Sequence, residues 1–355
     1  MTKRNTILGL AAGVAVSALS AGAAFSQEVT LKLEHFLPPQ ASVPRLVLDV
    51  WADNVEKDSD GRIKVERYAT MALGGTPPEL IDQVADGIVD LGWTVVGYSP
   101  GRFPTTEVFE LPFNVSDARE ASCAYWKMYD EHMKDGEFSD YKMIGTWVHG
   151  PGMVHTNEPV IEPGDLQGMK IRGGSTSVNA LLEAVGATPV GMPVPAVSEA
   201  LSKGVIDGTT IPWEVTPSLK VPELVHNHTE FSGKMLYTLT FVLVMNKDKY
   251  DSMPADLQKV IDDNSGLSFS VFAGGTQADA DAPARQIAVD LGNNIISLDE
   301  AQTQPWIELA KPIAGEWVAK MDGMGADGQA LFDEAQSLMA SCGADMASID
   351  TYGSH

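Results

Sequence analysis

Arg172 is the residue whose type and position most directly predict a chemistry. It ends a short strand-like segment at residues 169–172 and precedes Gly173 and Gly174, whose missing side chains let a ligand approach the backbone closely. A guanidinium group is a planar fork of donors that binds a carboxylate through two parallel hydrogen bonds. The position is therefore a candidate carboxylate site, although the spacing alone favours a surface arginine paired with one of the many acids.

Motifs of catalysis and of metal binding are missing from the sequence. It has no GxGxxG, GxxxxGK[ST], GxSxG or HExxH motif, and no cysteine pairs plausibly with a histidine as a nucleophile. Cys123 and Cys342 are too few for a cysteine-based zinc site. They form either a disulfide or two buried thiols, and their spacing does not decide between the two. We therefore predict no catalytic residue, no metal site and no cofactor.

The elements that must position Arg172 follow an α/β pattern. Alternation and turn signals predict two successive sets of strands and helices, which indicates two wound lobes. The predicted strands are residues 29–35, 62–68, 88–94, 141–149, 169–172, 188–192, 205–209 and 236–245. The predicted helices are residues 44–58 with Ser42 as cap, 76–86 with a capping box from Thr76 to Glu79, 178–185 with Ser177 as cap, 195–203, 254–291, 299–321 and 327–341. Ligands of such folds bind in a crevice at the carboxyl ends of the strands.

Charge and the amino-terminal segment limit the class of protein. The 355 residues carry 24 Lys and Arg and 48 Asp and Glu, a formal charge of −24, which argues against binding of nucleic acid or of anionic lipid. Lys3 and Arg4 precede an apolar run at residues 7–24, and small residues before Gln27 predict cleavage there. Residues 1–26 are thus predicted to be a signal peptide, with a membrane anchor as the alternative. The mature chain would keep 22 basic and 48 acidic residues, a formal charge of −26.

Four segments in order resemble the solute-binding proteins of TRAP (tripartite ATP-independent periplasmic) transporters. They are LGGTPPEL with VADGIVD at residues 73–80 and 84–90, DLQGMKIR at 165–172, ALSKGVIDG at 200–208, and VMN at 244–246 followed by Met253-Pro254. The resemblance covers essentially all of the mature chain. It implies a two-lobed periplasmic solute-binding protein fold with a ligand cleft between the lobes. It also implies that Arg172 pairs with a ligand carboxylate and that a membrane permease receives the ligand.

Departures from the family pattern indicate the ligand. Acid-sugar binders of this family often carry a further arginine before a Thr-Asn pair, but His155 precedes Thr156-Asn157 here. Many members place asparagine after the strand that begins with Asp-Gly, where this chain has Ile211, and some have glutamate where it has Val95. An apolar pocket with one arginine suits a monocarboxylate with a flat ring, because aromatic side chains stack on rings. We therefore predict an aromatic monocarboxylate such as a hydroxybenzoate, and no enzymatic activity.

The candidate ligand-binding residues lie in loops that follow the strands. Of the five aromatic ones we expect about two in the pocket and the rest in ordinary core. His155 or Glu214 would accept a hydrogen bond from a ring hydroxyl. The candidates are Arg172, Trp213, Trp93, His155, Phe36, Met153, Ile211, Glu214, Trp147 and Tyr237.

The predicted lobes are discontinuous in sequence. Lobe I would comprise residues 27–149 plus 238–277, and lobe II residues 150–237 plus 278–355. Other interpretations are a binder of a uronate, keto acid or C4-dicarboxylate in the same family, an exported α/β enzyme acting on an organic acid, and the binding protein of an ATP-driven importer.

Overall fold

Eleven strands in the described part of the chain form two β-sheets. The structure is a computed structural model that describes residues 27–353 and residue 2, so the predicted signal peptide otherwise lies outside the described residues. The strands are β1 (Val29–His35), β2 (Ile63–Tyr68), β3 (Leu91–Val95), β4 (Tyr141–Val148), β5 (Met153–Thr156), β6 (Lys170–Gly173), β7 (Thr188–Gly191), β8 (Gly208–Ile211), β9 (Asn227–Glu230), β10 (Thr240–Asn246) and β11 (Asn294–Ser297).

Helices cover both sheets. The α-helices among residues 27–353 are α1 (Asp49–Asp58), α2 (Leu80–Ala85), α3 (Ala118–Met128), α4 (Thr176–Ala184), α5 (Val197–Ser202), α6 (Val221–Leu224), α7 (Lys247–Asp251), α8 (Ala255–Asp263), α9 (Leu267–Asp279), α10 (Asp281–Asp290), α11 (Glu300–Gly323) and α12 (Gly328–Asp345). Two π-helical turns, Pro44–Leu48 and Tyr129–Met133, adjoin α1 and α3. Short 3-10 turns lie at Pro77–Glu79, Val96–Tyr98, Pro104–Glu110, Pro163–Leu166, Val194–Ala196, Trp213–Val215 and Met346–Ser348.

The first lobe is built on a five-stranded sheet in the order β2-β1-β3-β10-β4. Strands β1, β2 and β3 are parallel, and β10 runs antiparallel to β3 and β4. All seven residues of β10 are buried because the strand has neighbours on both edges and helices above and below. The carboxyl ends of β1 and β3 point toward the second lobe and place Phe36 and Trp93 there.

The second lobe is built on a six-stranded sheet in the order β11-β9-β5-β8-β6-β7. Strands β6, β7 and β8 are parallel, and β5 runs antiparallel to β8 and β9. Arg172 lies near the end of β6, where its neighbours across the ladders are Val190 and Thr209. The predicted two-lobed α/β fold is therefore confirmed.

The chain passes between the lobes more than once. It crosses from β4 to β5, returns from β9 to β10, and crosses again between α9, which packs on β4, and α10, which packs on the turn Trp213–Val215. Helix α12 then packs against α3 of the first lobe. This placement differs from the predicted division, in which residues 278–355 belonged to lobe II.

A disulfide fixes the carboxyl-terminal helix to the first lobe. Cys123 in α3 is bonded to Cys342 in α12, and their Cα atoms are 6.0 Å apart. The cysteines therefore form a disulfide and are not two buried thiols, the two alternatives that their spacing left open. Of the helices in the described residues, none is both long and apolar enough to cross a membrane.

Local capping agrees only in part with the prediction. Thr76 and Glu79 form the predicted capping box. The predicted cap of α4 is wrong, because Ser175 rather than Ser177 accepts from the Val178 N–H. The predicted cap by Ser42 is also wrong, because its hydroxyl donates to the Glu214 carboxylate instead of bonding to a helical N–H.

A buried cavity between the lobes as the candidate ligand site

A small, narrow cavity lies between the two lobes. The side chains that line it are buried, so the lobes enclose the space. Its lining residues are Phe36, Leu37, Trp93, Val95, Tyr98, His149, Arg172, Val194, Ile211, Pro212, Glu214, Val215, Tyr237, Leu239, Phe241 and Gln277.

Arg172 is held rigidly at one side of this cavity. It is 1% exposed, its Nε donates to the Met192 carbonyl at 2.9 Å, and its Nη1 donates to the Thr210 carbonyl at 3.1 Å. A Cβ at Gly174 would lie 3.1 Å from Nη2, so glycine there leaves room for the guanidinium. Two of its three nitrogens are thus occupied by backbone, which fixes the direction of the third.

Three buried donors at the cavity have no acceptor among the described residues. They are Arg172 Nη2, Trp93 Nε1 and the Tyr237 hydroxyl. Burial raises the pKa of the Tyr237 phenol above its ordinary value, although the Arg172 charge acts in the opposite direction, so the hydroxyl stays protonated. No ion pair within residues 27–353 includes Arg172. Burying a cation and two hydrogen-bond donors without partners costs free energy. A bound anion with several acceptor atoms would supply the missing partners.

Stacked aromatic rings form the wall contributed by the first lobe. The Phe36 and Trp93 rings are 4.6 Å apart with an interplanar angle of 20°. Phe241 packs on Trp93 at 5.6 Å and 19°. Trp147 is nearly parallel to Trp93 at 6.4 Å, and its Nε1 donates to Gln277 Oε1 at 2.8 Å. These rings pack on one another, so the wall offers a firmly supported aromatic surface to a ligand.

Glu214 is the acidic residue of the cavity lining. Its carboxylate accepts from the Ser42 hydroxyl and, at 2.8 Å, from Gln277 Nε2. Its backbone N–H donates to Asp281 Oδ1 at 2.8 Å. Burial raises the pKa of Glu214 to about 7, and burial together with the charge of Glu214 raises the pKa of Asp281 to about 8. The Glu214 carboxyl group retains lone pairs that a ligand hydroxyl can use.

His149 adds no second positive charge to the site. Its Nδ1–H donates to the Gly150 carbonyl, and its Nε2 accepts from the Leu239 N–H at 3.1 Å. Burial lowers its pKa to about 4, against which the Gly150 bond acts, and the nearby Arg172 charge lowers it further. The ring is therefore neutral at pH 7, with both nitrogens occupied.

Six of the ten candidate residues line the cavity, and four lie behind its walls. The six are Phe36, Trp93, Arg172, Ile211, Glu214 and Tyr237. Trp147 supports Trp93 from behind, and Met153 packs with Trp213, whose Nε1 donates to Glu230 Oε1 at 2.9 Å. Since these side chains have partners away from the cavity, they do not face the space that a ligand would fill.

His155 belongs to a buried histidine pair rather than to the cavity lining. Its Nε2–H donates to the Ile211 carbonyl at 3.0 Å, and its Nδ1 is 2.7 Å from Nδ1 of His228. His228 Nε2 accepts from Asn293 Nδ2 at 3.0 Å. Because His228 Nε2 is an acceptor, its Nδ1 carries the proton and donates to His155. This tautomer pattern occupies every nitrogen of the pair.

Sequence reasoning missed several lining residues. Tyr98, His149, Phe241 and Gln277 all reach the cavity. Tyr98 follows a predicted strand and His149 ends one, so the rule that the carboxyl ends of strands form the crevice could have found them. Gln277 lies inside α9 and Phe241 inside β10, where no local signal distinguishes them from core.

The fold and the cavity define a two-lobed solute-binding protein. The chain belongs to the family of bacterial extracellular solute-binding proteins, family 7 (DctP), whose model matches residues 34–320. It is a TRAP-type solute-binding protein by its similarity to solved structures as well. Among curated relatives, the outer membrane transporter protein TsaT of Comamonas testosteroni is 26% identical over 319 residues, which cover 87% of this chain and 91% of TsaT.

Three similar solved structures are complexes with aromatic acids. A TRAP solute-binding protein from Rhodoferax ferrireducens, crystallised with copurified benzoate, is 44% identical with a TM-score of 0.88, covering 89% of this chain and 99% of its own. A marine metagenome protein in complex with 3-hydroxybenzoate is 44% identical with a TM-score of 0.86 and the same coverage. A protein from Bordetella bronchiseptica with bound mandelate is 31% identical with a TM-score of 0.80, covering 88% and 99%.

Proposed function

We propose that this protein captures an aromatic monocarboxylate, such as benzoate or a hydroxybenzoate, in the cavity between its lobes and delivers it unchanged to a TRAP permease. The observation that carries the proposal is the free Nη2 of Arg172, a buried positive charge without a counterion in a space lined mainly by apolar and aromatic side chains. A ligand carboxylate supplies the missing negative charge. Trp93 Nε1 and the Tyr237 hydroxyl, which also lack acceptors, would bind its second oxygen.

The ring of the ligand would pack on the first lobe's aromatic wall. The stacked Phe36 and Trp93 rings belong to that wall, and Ile211 and Val215 of the second lobe add aliphatic surface to the lining. A hydroxyl on the ring would donate to Glu214. The similar proteins crystallised with benzoate and 3-hydroxybenzoate support the same ligand class for this chain.

Dicarboxylates and uronates fit this cavity less well. The described lining contains one cationic side chain, Arg172, because His149 is neutral, so a second carboxylate would meet Glu214 instead of a cation. A polyhydroxylated acid would bury hydroxyl groups against Val95, Val194 and Leu239 without partners. Such unsatisfied groups cost about 1–3 kcal/mol each, which discriminates strongly against these acids.

The proposed place of action is the periplasm. The predicted signal peptide, the family and the periplasmic relatives support this location. Fractionation of cells that produce the full-length chain would test it, with processing before Gln27 expected in the periplasmic fraction.

A titration panel tests the ligand. Benzoate and 3-hydroxybenzoate should raise the melting temperature and bind in calorimetry, whereas succinate and glucuronate should not. Cyclohexanecarboxylate is the matched control for ring planarity and should bind more weakly than benzoate. If only succinate or glucuronate binds, the aromatic assignment is overturned. Recovery of chemically unchanged benzoate after prolonged incubation and denaturation is expected; its conversion would indicate an enzyme.

A further inference from the structure

A second concavity adjoins the ligand cavity at Glu214. It is a groove open to solvent, lined by Gln40, Ser42 and Arg45 of the first lobe, by Glu214 and the stretch from Pro217 to Lys220 of the second, and by residues of α9 and α10. Glu214 lines both spaces, and Ser42 bonds to it from the opposite lobe. The Ser42–Glu214 contact is therefore the partition between the groove and the cavity.

Two exposed cations flank this groove. Arg45 lies in the π-helical turn that precedes α1, and Lys220 lies just before α6. Five of the seven arginines in residues 27–353 form ion pairs with acids, and the two that do not are Arg172 and Arg45. An arginine without an acid partner is unusual in a chain with 48 acidic residues.

The backbone of Lys220 supports a functional position. Its φ of 55° lies in the left-handed region, which disfavours residues with a Cβ atom. No ion pair in the described chain includes Lys220 either. The acids of the groove do not cancel these charges, because Asp279 is paired with Arg119 and the Glu214 carboxylate is buried.

A local positive field is what a monoanion needs in order to approach this protein. With a formal charge of −26 predicted for the mature chain, the surface as a whole repels a carboxylate. Arg45 and Lys220 belong to different lobes, so they line the two sides of the cleft when the lobes separate. Cations that line a cleft concentrate anions and raise association rates, and salt screens the effect.

We propose that Arg45 and Lys220 form a cationic entrance that draws aryl carboxylates into the cleft toward Arg172. This inference rests on the proposed function, since it takes the same acids as ligands. The two side chains do not touch the enclosed cavity, so their role is in capture of the ligand and not in the stability of the closed complex.

Stopped-flow kinetics with benzoate test the entrance. Trp93 lies in the cavity lining, so tryptophan fluorescence reports binding. The double variant Arg45→Gln/Lys220→Gln should lower the association rate constant about threefold at low ionic strength and leave the dissociation rate constant unchanged. Added salt should no longer slow association in this variant, because only the repulsion by the acidic surface remains to be screened. The matched control Lys32→Gln/Lys127→Gln removes two charges of the first lobe that do not line the groove.

The outcomes separate the two proposals. If benzoate binds and the association rate constant of the double variant equals that of the wild type, or falls equally in the control, the entrance is overturned while the proposed function stands. If the wild type binds no aryl acid at any salt concentration, the proposed function is overturned, and the entrance falls with it.

Discussion

The Ser42 hydroxyl of the first lobe donates a hydrogen bond to the Glu214 carboxylate of the second, across 172 positions of sequence. Gln277 of α9 donates to the same carboxylate at 2.8 Å. The cavity is thus closed on this side by a side chain that both lobes hold. In a protein that must open to release its ligand, such a contact stabilises the closed state relative to the open one.

Ser42→Ala should speed release of the ligand. A hydrogen bond to a charged or strongly polarised group contributes about 1.5–3 kcal/mol, so we expect the dissociation rate constant for benzoate to rise by at least about fivefold. Ser218→Ala is the control, because Ser218 lines the same groove but donates within its own lobe to the Val215 carbonyl at 2.9 Å. Equal dissociation rates for the two variants would contradict a role of Ser42 in closure.

Arg172→Met should abolish tight binding of aryl acids. The substitution removes the buried charge while roughly preserving side-chain volume, and we expect at least a tenfold rise in the benzoate dissociation constant, measured by calorimetry. Circular dichroism should show a cooperative unfolding transition, because the aromatic wall and both sheets remain. An unchanged dissociation constant in a folded variant would remove Arg172 from the site.

Glu214→Gln should reduce the preference for a hydroxylated ring. Glutamine still accepts from Gln277, and its amide donates to Ser42, but the pull of a carboxylate on a ring hydroxyl is lost. We expect 3-hydroxybenzoate to lose about tenfold in affinity and benzoate less than threefold. Glu110→Gln is the control, since Glu110 is buried against Thr240 and does not line the cavity. Parallel losses for both acids would contradict the assignment.

The His155–His228 pair should make the protein sensitive to acid. Burial lowers the pKa of His155 to about 4 and that of His228 to about 3, with the charges of His155 and His226 adding to the second shift. Between about pH 6.5 and pH 4 the two histidines are protonated in the unfolded chain but stay neutral in the folded one. The free energy of unfolding therefore falls as the pH drops from about 6.5 toward 4. At pH 5 the lowered pKa of each histidine reduces the free energy of unfolding by roughly 1–2 kcal/mol.

Urea unfolding at pH 7.5 and pH 5 measures this dependence. His155→Gln should lower the free energy of unfolding at pH 7.5. It should also reduce the difference between the free energies of unfolding measured at pH 7.5 and at pH 5. Comparison of the variant with the wild type isolates the histidine, because Glu214 and Asp281, whose pKa values are raised to about 7 and about 8, act in the opposite direction in both proteins. A pH difference as large in the variant as in the wild type would refute the prediction.

The disulfide should stabilise the fold without affecting the site. Cys123→Ser/Cys342→Ser removes the link between α3 and α12 and should lower the free energy of unfolding by about 2–5 kcal/mol. Neither cysteine lines the cavity, so the benzoate dissociation constant should stay within twofold. A large loss of affinity at unchanged stability would show that the helix pair influences the cleft.

Much of the fold was predictable because its signals are local. The alternation at residues 29–35 and the capping box at Thr76 each specify an element within a few residues. Strands β5, β9 and β11 were missed. Their length of four residues does not explain this, because β6, β7 and β8 are equally short and were predicted. Ile88 was predicted to begin β3, but the strand begins at Leu91. The Ile88 side chain is 56% exposed, and residue type alone does not distinguish an exposed isoleucine from a buried one.

The site was predictable where a single residue carries the chemistry. The two glycines after Arg172 left a surface arginine as the favoured interpretation, and resemblance to the family singled it out as the partner of a ligand carboxylate, a role that stays a prediction. His155 and Glu214 were equal candidates for a ring hydroxyl, and the sequence could not separate them, because the partner that satisfies His155 is His228, 73 residues away. The sequence also could not tell which aromatic side chain lines the cavity and which one supports it. Trp147 stacks behind Trp93, and their strands, β4 and β3, are not neighbours in the sheet.

Strand β10 fills the gap between β3 and β4, yet it is made of residues 240–246, which follow the whole second sheet except β11. During synthesis from the amino terminus, β3 and β4 therefore lack the strand that pairs with their facing edges. That strand, β10, is complete only nearly 100 residues after the end of β4. The first sheet therefore cannot be completed before five of the six strands of the second sheet have been synthesised. A fragment that stops before residue 240 should aggregate through those open edges rather than persist as an independent half-protein.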